Sequence, residues 1–233
     1  MPTIKPARAP KTAHGTKRFS LVSSAAQQEM YQALTALKRS KARPFSGAEV
    51  AEIAVCLAAG EGVPVIRACA AAGARLVRKG GKDIRVTRRR IGAATIASAA
   101  ALMDDAKACA VIVCVGKIGA QPEAQENFRT AFQFAARHKL PILYLVANSI
   151  APGRPQTLDL RTLYAEFGIP VFSVDANDAI AAYRVATEAL HNARHQRGPS
   201  VVEALTVQHT DGSMLNPREL LAAYMERHGN QPR

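Results

Sequence analysis

Val111-Ile112-Val113-Cys114-Val115 is an unbroken apolar run with the length of one strand, and Gly116-Lys117-Ile118-Gly119 turns out of it. A strand with one wet face alternates apolar and polar residues. A run that is apolar at every position belongs to a strand buried on both faces, as in a parallel sheet covered by helices on either side. Towards the C-terminus, the spacing of Phe128, Phe132 and Ala135 predicts a helix over 123–138. Pro141 restarts the chain into a second buried strand over 142–146. A loop is expected at Asn148-Ser149-Ile150-Ala151-Pro152-Gly153, then a helix over 157–167 closed by Gly168. A third strand reads over 171–174 and a long helix over 178–195, with Asp175 and Asn177 as cap candidates. A fourth strand covers 201–207. Asn216-Pro217-Arg218-Glu219 then supplies the cap, the N1 proline and the N3 carboxylate of a last helix. Repeated strand–helix–strand units need right-handed crossovers, which predicts an α/β, doubly wound, mostly parallel sheet. Ligands in such sheets bind beyond the carboxyl ends of the strands. The crevice is therefore expected along 116–121, 148–154, 175–178 and 208–213.

Upstream the pattern is helical. Ser24 is a cap candidate, Met30, Leu34 and Leu37 recur at helical spacing, and Pro44 ends that helix. Ser46-Gly47-Ala48-Glu49 reads as a capping box opening a helix to Ala59, broken by Gly60, Gly62 and Pro64. An Ala-rich helix is expected over 65–79, stopped by Gly80-Gly81, and a small-residue helix over 92–103. The expected organisation is a basic, flexible tail at 1–20 and a single α/β domain over 21–233. Within that domain, 21–103 reads as mostly helical and 104–233 as strand–helix repeats.

The chain has 233 residues, 48% of them hydrophobic, which supports a real core and excludes global disorder. No apolar run approaches the ~18–20 residues that span a bilayer, so no membrane segment is expected. The four cysteines form no C-x-x-C pair, which excludes a zinc ribbon or a thioredoxin-type motif. Buried thiols in a reducing compartment, and hence a cytoplasmic location, are the expectation. The formal net charge is +13. Lys5, Arg8, Lys11, Lys17 and Arg18 charge the tail, and Lys82, Arg85, Arg88, Arg89 and Arg90 form a second cluster. Both read either as solvated surface or as weak polyanion contacts, through 1–20 and 85–90. Only 5% of residues are aromatic and none is Trp, which disfavours a base-stacking nucleic-acid binder.

Three further segments carry a family resemblance. They are Tyr164-Ala165-Glu166-Phe167-Gly168-Ile169-Pro170, Val174-Asp175-Ala176-Asn177-Asp178, and Gly198-Pro199-Ser200-Val201-Val202-Glu203-Ala204-Leu205-Thr206. With Asn127-Phe128-Arg129-Thr130-Ala131-Phe132 and Lys139-Leu140-Pro141, their order and spacing resemble the alpha subunit of thiamine-diphosphate-dependent 2-oxoacid dehydrogenases. Ser46-Gly47-Ala48-Glu49-Val50-Ala51 is a weaker upstream echo. The resemblance implies a thiamine-diphosphate-binding-like fold with an N-terminal helical part. It also implies oxidative decarboxylation of a 2-oxoacid in intact relatives, and a cofactor held between an alpha and a beta part. Association as a homo-oligomer or with a beta-subunit-like chain follows as an expectation, through helices such as the one over 92–101.

The departures from the family are chemical. The family holds the metal of Mg-thiamine diphosphate with the Asp of a Gly-Asp-Gly turn and with the second Asn of an Asn-Asn pair. By this resemblance the Asp position is Lys117, between Gly116 and Ile118, with Gly119 following. Asn148 matches the first Asn, and the ligand position is Ser149. The diphosphate-contacting Tyr-Arg pair falls at Cys69-Ala70 and the Gly-His-Ser segment at Asp211-Gly212-Ser213, with His209 nearby. Hard cations need oxygen ligands, preferably anionic ones. The candidate crevice residues are thus Gly116, Lys117, Gly119, Asn148 and Ser149, with no metal ligand and no assigned catalytic residue. For Lys117 three readings stay open: a relic turn, direct anion binding, and metal-dependent cofactor binding. No thiamine diphosphate or Mg²⁺ is expected on the chain alone. The expected role is a non-catalytic or regulatory homologue. The alternatives are an active subunit completed by a beta partner and a basic nucleic-acid or polyanion binder.

Overall fold

The computed structural model describes residues 20–37, 47–61, 63, 65–67, 83–85, 110–114, 122–150, 164–195, 197–207 and 216–232. Six strands form one sheet: β1 (Val65–Arg67), β2 (Asp83–Arg85), β3 (Ala110–Cys114), β4 (Ile142–Ile150), β5 (Val171–Asp175) and β6 (Ser200–Val207). Their order is β2-β1-β3-β4-β6-β5, and every neighbouring pair is parallel. The described helices are α1 (Ser24–Ala36), α2 (Gly47–Ala59), α3 (Pro122–Arg137), α4 (Ala179–Arg194) and α5 (Pro217–Arg227). This is the α/β, doubly wound architecture expected from the apolar runs.

The central strand shows why those runs are continuous. Along β4, Leu143 and Leu145 enter one core with α1, α2, α4 and α5. Ile142, Tyr144 and Val146 enter the other, with Phe132 and Ala135 of α3. Successive side chains point to opposite faces. Both faces are therefore dry, and residues 142–145 are wholly buried. Burying each such side chain contributes about 1.5–3 kcal/mol.

The outer layer is fastened by polar groups. Gln27 of α1 is fully buried; its Nε2 donates to Ser20 Oγ at 3.0 Å and to the Val22 carbonyl at 2.8 Å. Asn230, beyond α5, donates to Gln27 Oε1 at 2.9 Å, and Tyr224 of α5 shares a 2.9 Å hydrogen bond with Ser20. The first described helix is thereby tied to the last. Among the described residues no helix is long and apolar enough to cross a membrane.

The structure corrects several sequence expectations. Val65–Arg67 is a strand, not the start of a helix, and Asp83–Arg85 is a strand inside the expected charged loop. The 21–103 part thus contributes two strands to the sheet. β4 runs on to Ile150, so Asn148 and Ser149 lie on a strand rather than in a loop. The cap of α1 is Ser23, accepting from the Ala26 amide, while Ser24 donates to Asn230. The cap of α4 is Asp178, accepting from the Ala181 amide at 2.9 Å. Asp175 instead accepts from the Asn177 amide. The Asn216 cap stands as expected, its side chain also donating to Glu219. Gly168 follows its turn at φ 66°, the left-handed conformation that glycine adopts without strain. The tail at 1–19, the expected helix over 92–103 and residues 86–90 lie outside the described residues.

Candidate functional site

The sheet order turns back at β1, with β2 on one side and β3 on the other. Doubly wound sheets bind ligands beyond the strand ends at such a reversal. Gly116, Lys117 and Gly119, which follow β3, lie outside the described residues, as do Cys69, Ala70, His209 and 211–213. Ser149 is placed by its backbone, opposite Thr206 in the β4–β6 ladder; its side chain is outside the described set.

Asn148 is described, and its environment is specific. It follows Tyr144 and Val146 on the same face of β4 and is half-buried. Its Nδ2 donates to Glu203 Oε1 at 3.1 Å. Glu203 is only 3% exposed, on the neighbouring strand β6. Ser173, opposite Glu203 on β5, donates its hydroxyl to Oε2 at 2.7 Å. Each carboxyl oxygen therefore takes one donor, and three strands are joined by one acid on the α3 side of the sheet. Burying an acid without such donors costs several kcal/mol. The pair of hydrogen bonds fixes the Asn148 amide at the end of β4, with its nitrogen committed to protein.

The turn after β5 is also polar. The Ala176 amide donates to the Leu205 carbonyl at 2.8 Å, holding the turn against β6. Asn177 is 3% exposed, and its Oδ1 has no hydrogen-bond partner among the described residues. Such an atom costs about 1–3 kcal/mol. Among the described residues no group of three His, Cys, Asp or Glu side chains is arranged to hold a metal ion.

Of the five crevice candidates, the structure thus brings Asn148 into a defined polar cluster and sets the Ser149 backbone beside it. Glu203 and Ser173 were not expected there. Glu203 was legible: a single acid in the otherwise apolar run Val201-Val202-Glu203-Ala204-Leu205 must either break the strand or find donors. Ser173 carries no comparable signal. Glu203→Gln keeps the volume but turns an amide NH₂ towards a donor. It should destabilise the fold by about 1–3 kcal/mol in urea titration. A loss below about 0.5 kcal/mol would mean that Asn148 and Ser173 do not depend on the acid.

The family model of the dehydrogenase E1 component matches residues 72–220, more than half of the chain. The pyruvate dehydrogenase E1 component subunit alpha of Rhizobium meliloti (strain 1021) is 36% identical over 94 residues, covering 37% of this chain and 27% of that protein. The subunit of the same name from Porphyra purpurea is 32% identical over 100 residues, covering 40% and 29%. The chain therefore spans less than a third of the length of these curated relatives. A solved Mycobacterium smegmatis protein assigned to the thiamin diphosphate-dependent enzymes superposes with a TM-score of 0.49 at 19% identity, over 73% of this chain and 34% of that one. The fold assignment rests on the parallel sheet itself, not on that superposition.

Proposed function

The chain belongs to the dehydrogenase E1 component family, and from that membership we propose an alpha-subunit-like homologue with altered cofactor binding and a non-catalytic or regulatory role. The observation that carries this reading is the donor set at the family's metal positions. By the resemblance, Lys117 falls where the family has a carboxylate, and Ser149 where it has an amide oxygen. An ammonium in place of a carboxylate repels a divalent cation and removes the anionic ligand, and a short hydroxyl replaces the longer amide oxygen. This donor set does not fit Mg²⁺, so no reaction step is assigned through thiamine diphosphate.

The relatives are named as alpha subunits. A beta-like chain, or a second copy of this one, is the proposed partner. The remaining crevice role is direct binding of a metal-free anion by Lys117.

Calorimetric titration of the purified chain with thiamine diphosphate tests the proposal, run with and without Mg²⁺. The expected result is no Mg²⁺-dependent heat. Micromolar, Mg²⁺-dependent binding would overturn it and return the chain to the active subunits.

A further inference from the structure

The end of the sheet opposite the crevice carries a different feature. α3 enters β4 through residues 138–141, and α4 enters β6 through 195–199. Because β4 and β6 are paired from Leu143 and Ser200 onward, these two turns lie side by side. They touch: a Cβ on Gly198 would sit 3.7 Å from the Lys139 Cα. Gly198 has φ 95° and Lys139 φ 48°, so both turns are sharply set.

Together the turns present Arg137 and Lys139 from one side and Arg194 and Arg197 from the other, all exposed. None of these four is in an ion pair among the described residues. Two are held in position by neutral groups. Arg197 donates to Asn192 Oδ1 at 3.1 Å, and Arg194 donates to the Ala59 carbonyl at the end of α2 at 2.5 Å. The acids on the adjoining described segments are Glu61, Glu166 and Glu188; Glu166 pairs with Arg129, and none of the three bonds to these four cations. Basic side chains at helix C-termini are favoured by the helix dipole. That accounts for a cation on each helix, but not for two such ends packed together with none of the four cations in an ion pair among the described residues.

We propose that this edge docks an acidic segment of a partner protein. A set of exposed cations, two of them anchored and none in an ion pair among the described residues, gives orientation and a fast encounter, steered by the +13 charge of the whole chain. A nucleic acid fits less well. Binders of single strands combine a basic groove with open aromatic faces. Here the cations stand on exposed turns, and the nearby rings are already paired: Phe134 with His138 at 4.4 Å and His191 with His195 at 4.0 Å.

The test compares three proteins, each spanning all 233 residues, against an oligoglutamate peptide and oligothymidylate at low and high salt. They are the unmodified chain, an edge variant (Arg137→Gln, Lys139→Asn, Arg197→Gln), and a charge-matched control (Arg184→Gln, Arg218→Gln, Arg227→Gln). Asn is chosen at 139 because it tolerates positive φ. Melting curves confirm that both variants fold. The expected result is a loss of about tenfold in peptide affinity for the edge variant, with the control within about twofold. Equal losses in the two variants would reduce the effect to bulk charge and overturn the proposal. So would no peptide binding at low salt. Oligothymidylate binding as tight as the peptide and equally sensitive to the edge variant would replace the acidic protein with a nucleic acid.

Discussion

Phe132→Ala is expected to lower the unfolding free energy by about 3–5 kcal/mol, read from denaturant midpoints. Phe132 is wholly buried where α3 meets the sheet. Its ring meets Tyr144 of β4 edge-on at a centroid distance of 4.4 Å and Tyr164 edge-on at 4.8 Å, and it stacks on Phe128 at 5.7 Å. One side chain thus joins the α3 helix, the central strand and the turn before β5. Removing it strips apolar contact from all three and leaves a cavity whose walls belong to different elements, so collapse is difficult. The edge-on pairs add about 0.5–1.5 kcal/mol each beyond area burial. Phe132→Leu, which fills most of the space, should cost far less than the alanine variant. The Arg129–Glu166 ion pair links the same helix to the same turn, but its side chains are 45% and 50% exposed. Solvent screens such a pair to within about 1 kcal/mol. A small effect from Phe132→Ala would mean that α3 is not anchored through this ring.

The second large effect concerns the crevice. Lys117→Asp combined with Ser149→Asn is expected to raise Mg²⁺-dependent affinity for thiamine diphosphate by about a thousandfold. Like charges ~4 Å apart at an effective dielectric of ~20 repel by about 4 kcal/mol. Each tenfold in affinity corresponds to about 1.4 kcal/mol, so removing that repulsion alone accounts for the factor. The readout is the calorimetric binding constant with and without Mg²⁺, which needs no turnover. Glu203 is left intact in this variant, so Asn148 keeps its partner. Cofactor binding that is unchanged by the double substitution would show that the pocket is altered elsewhere, for example at Cys69-Ala70, where the resemblance sets the diphosphate-contacting pair.

The sheet centre was legible because β3 and the first five residues of β4 are apolar at consecutive positions, a pattern that an amphipathic helix does not produce. β1 and β2 were not. Each is only three residues long, and β1 opens an Ala-rich stretch whose composition favours helix. Its strand state comes from pairing with Val111 and Asp83, contacts far away in sequence. Local propensity therefore pointed the wrong way. The end of β4 was missed for a related reason. Asn148-Ser149 has turn-forming residues, but β6 stays paired alongside as far as Val207 and carries β4 on to Ile150. The caps were displaced by one to three residues, because adjacent polar side chains are all able to cap and the passed-over ones bond elsewhere, Ser24 to Asn230 and Asp175 to the Asn177 amide. In the site, Asn148 was found through its resemblance to the family, while its acidic partner lay in plain view as the odd residue in β6.

The tie between Gln27, Ser20, Tyr224 and Asn230 has a consequence for how the molecule opens. α1 and α5 lie almost at opposite ends of the sequence, yet each satisfies polar groups of the other. If α5 swings away, Gln27 loses the Asn230 amide that its buried oxygen accepts, and Ser20 loses Tyr224. Breathing of one helix should therefore loosen the other, and hydrogen exchange is expected to show the two opening as a single cooperative unit. The sheet beneath, held by two dry cores, is expected to exchange more slowly than either helix.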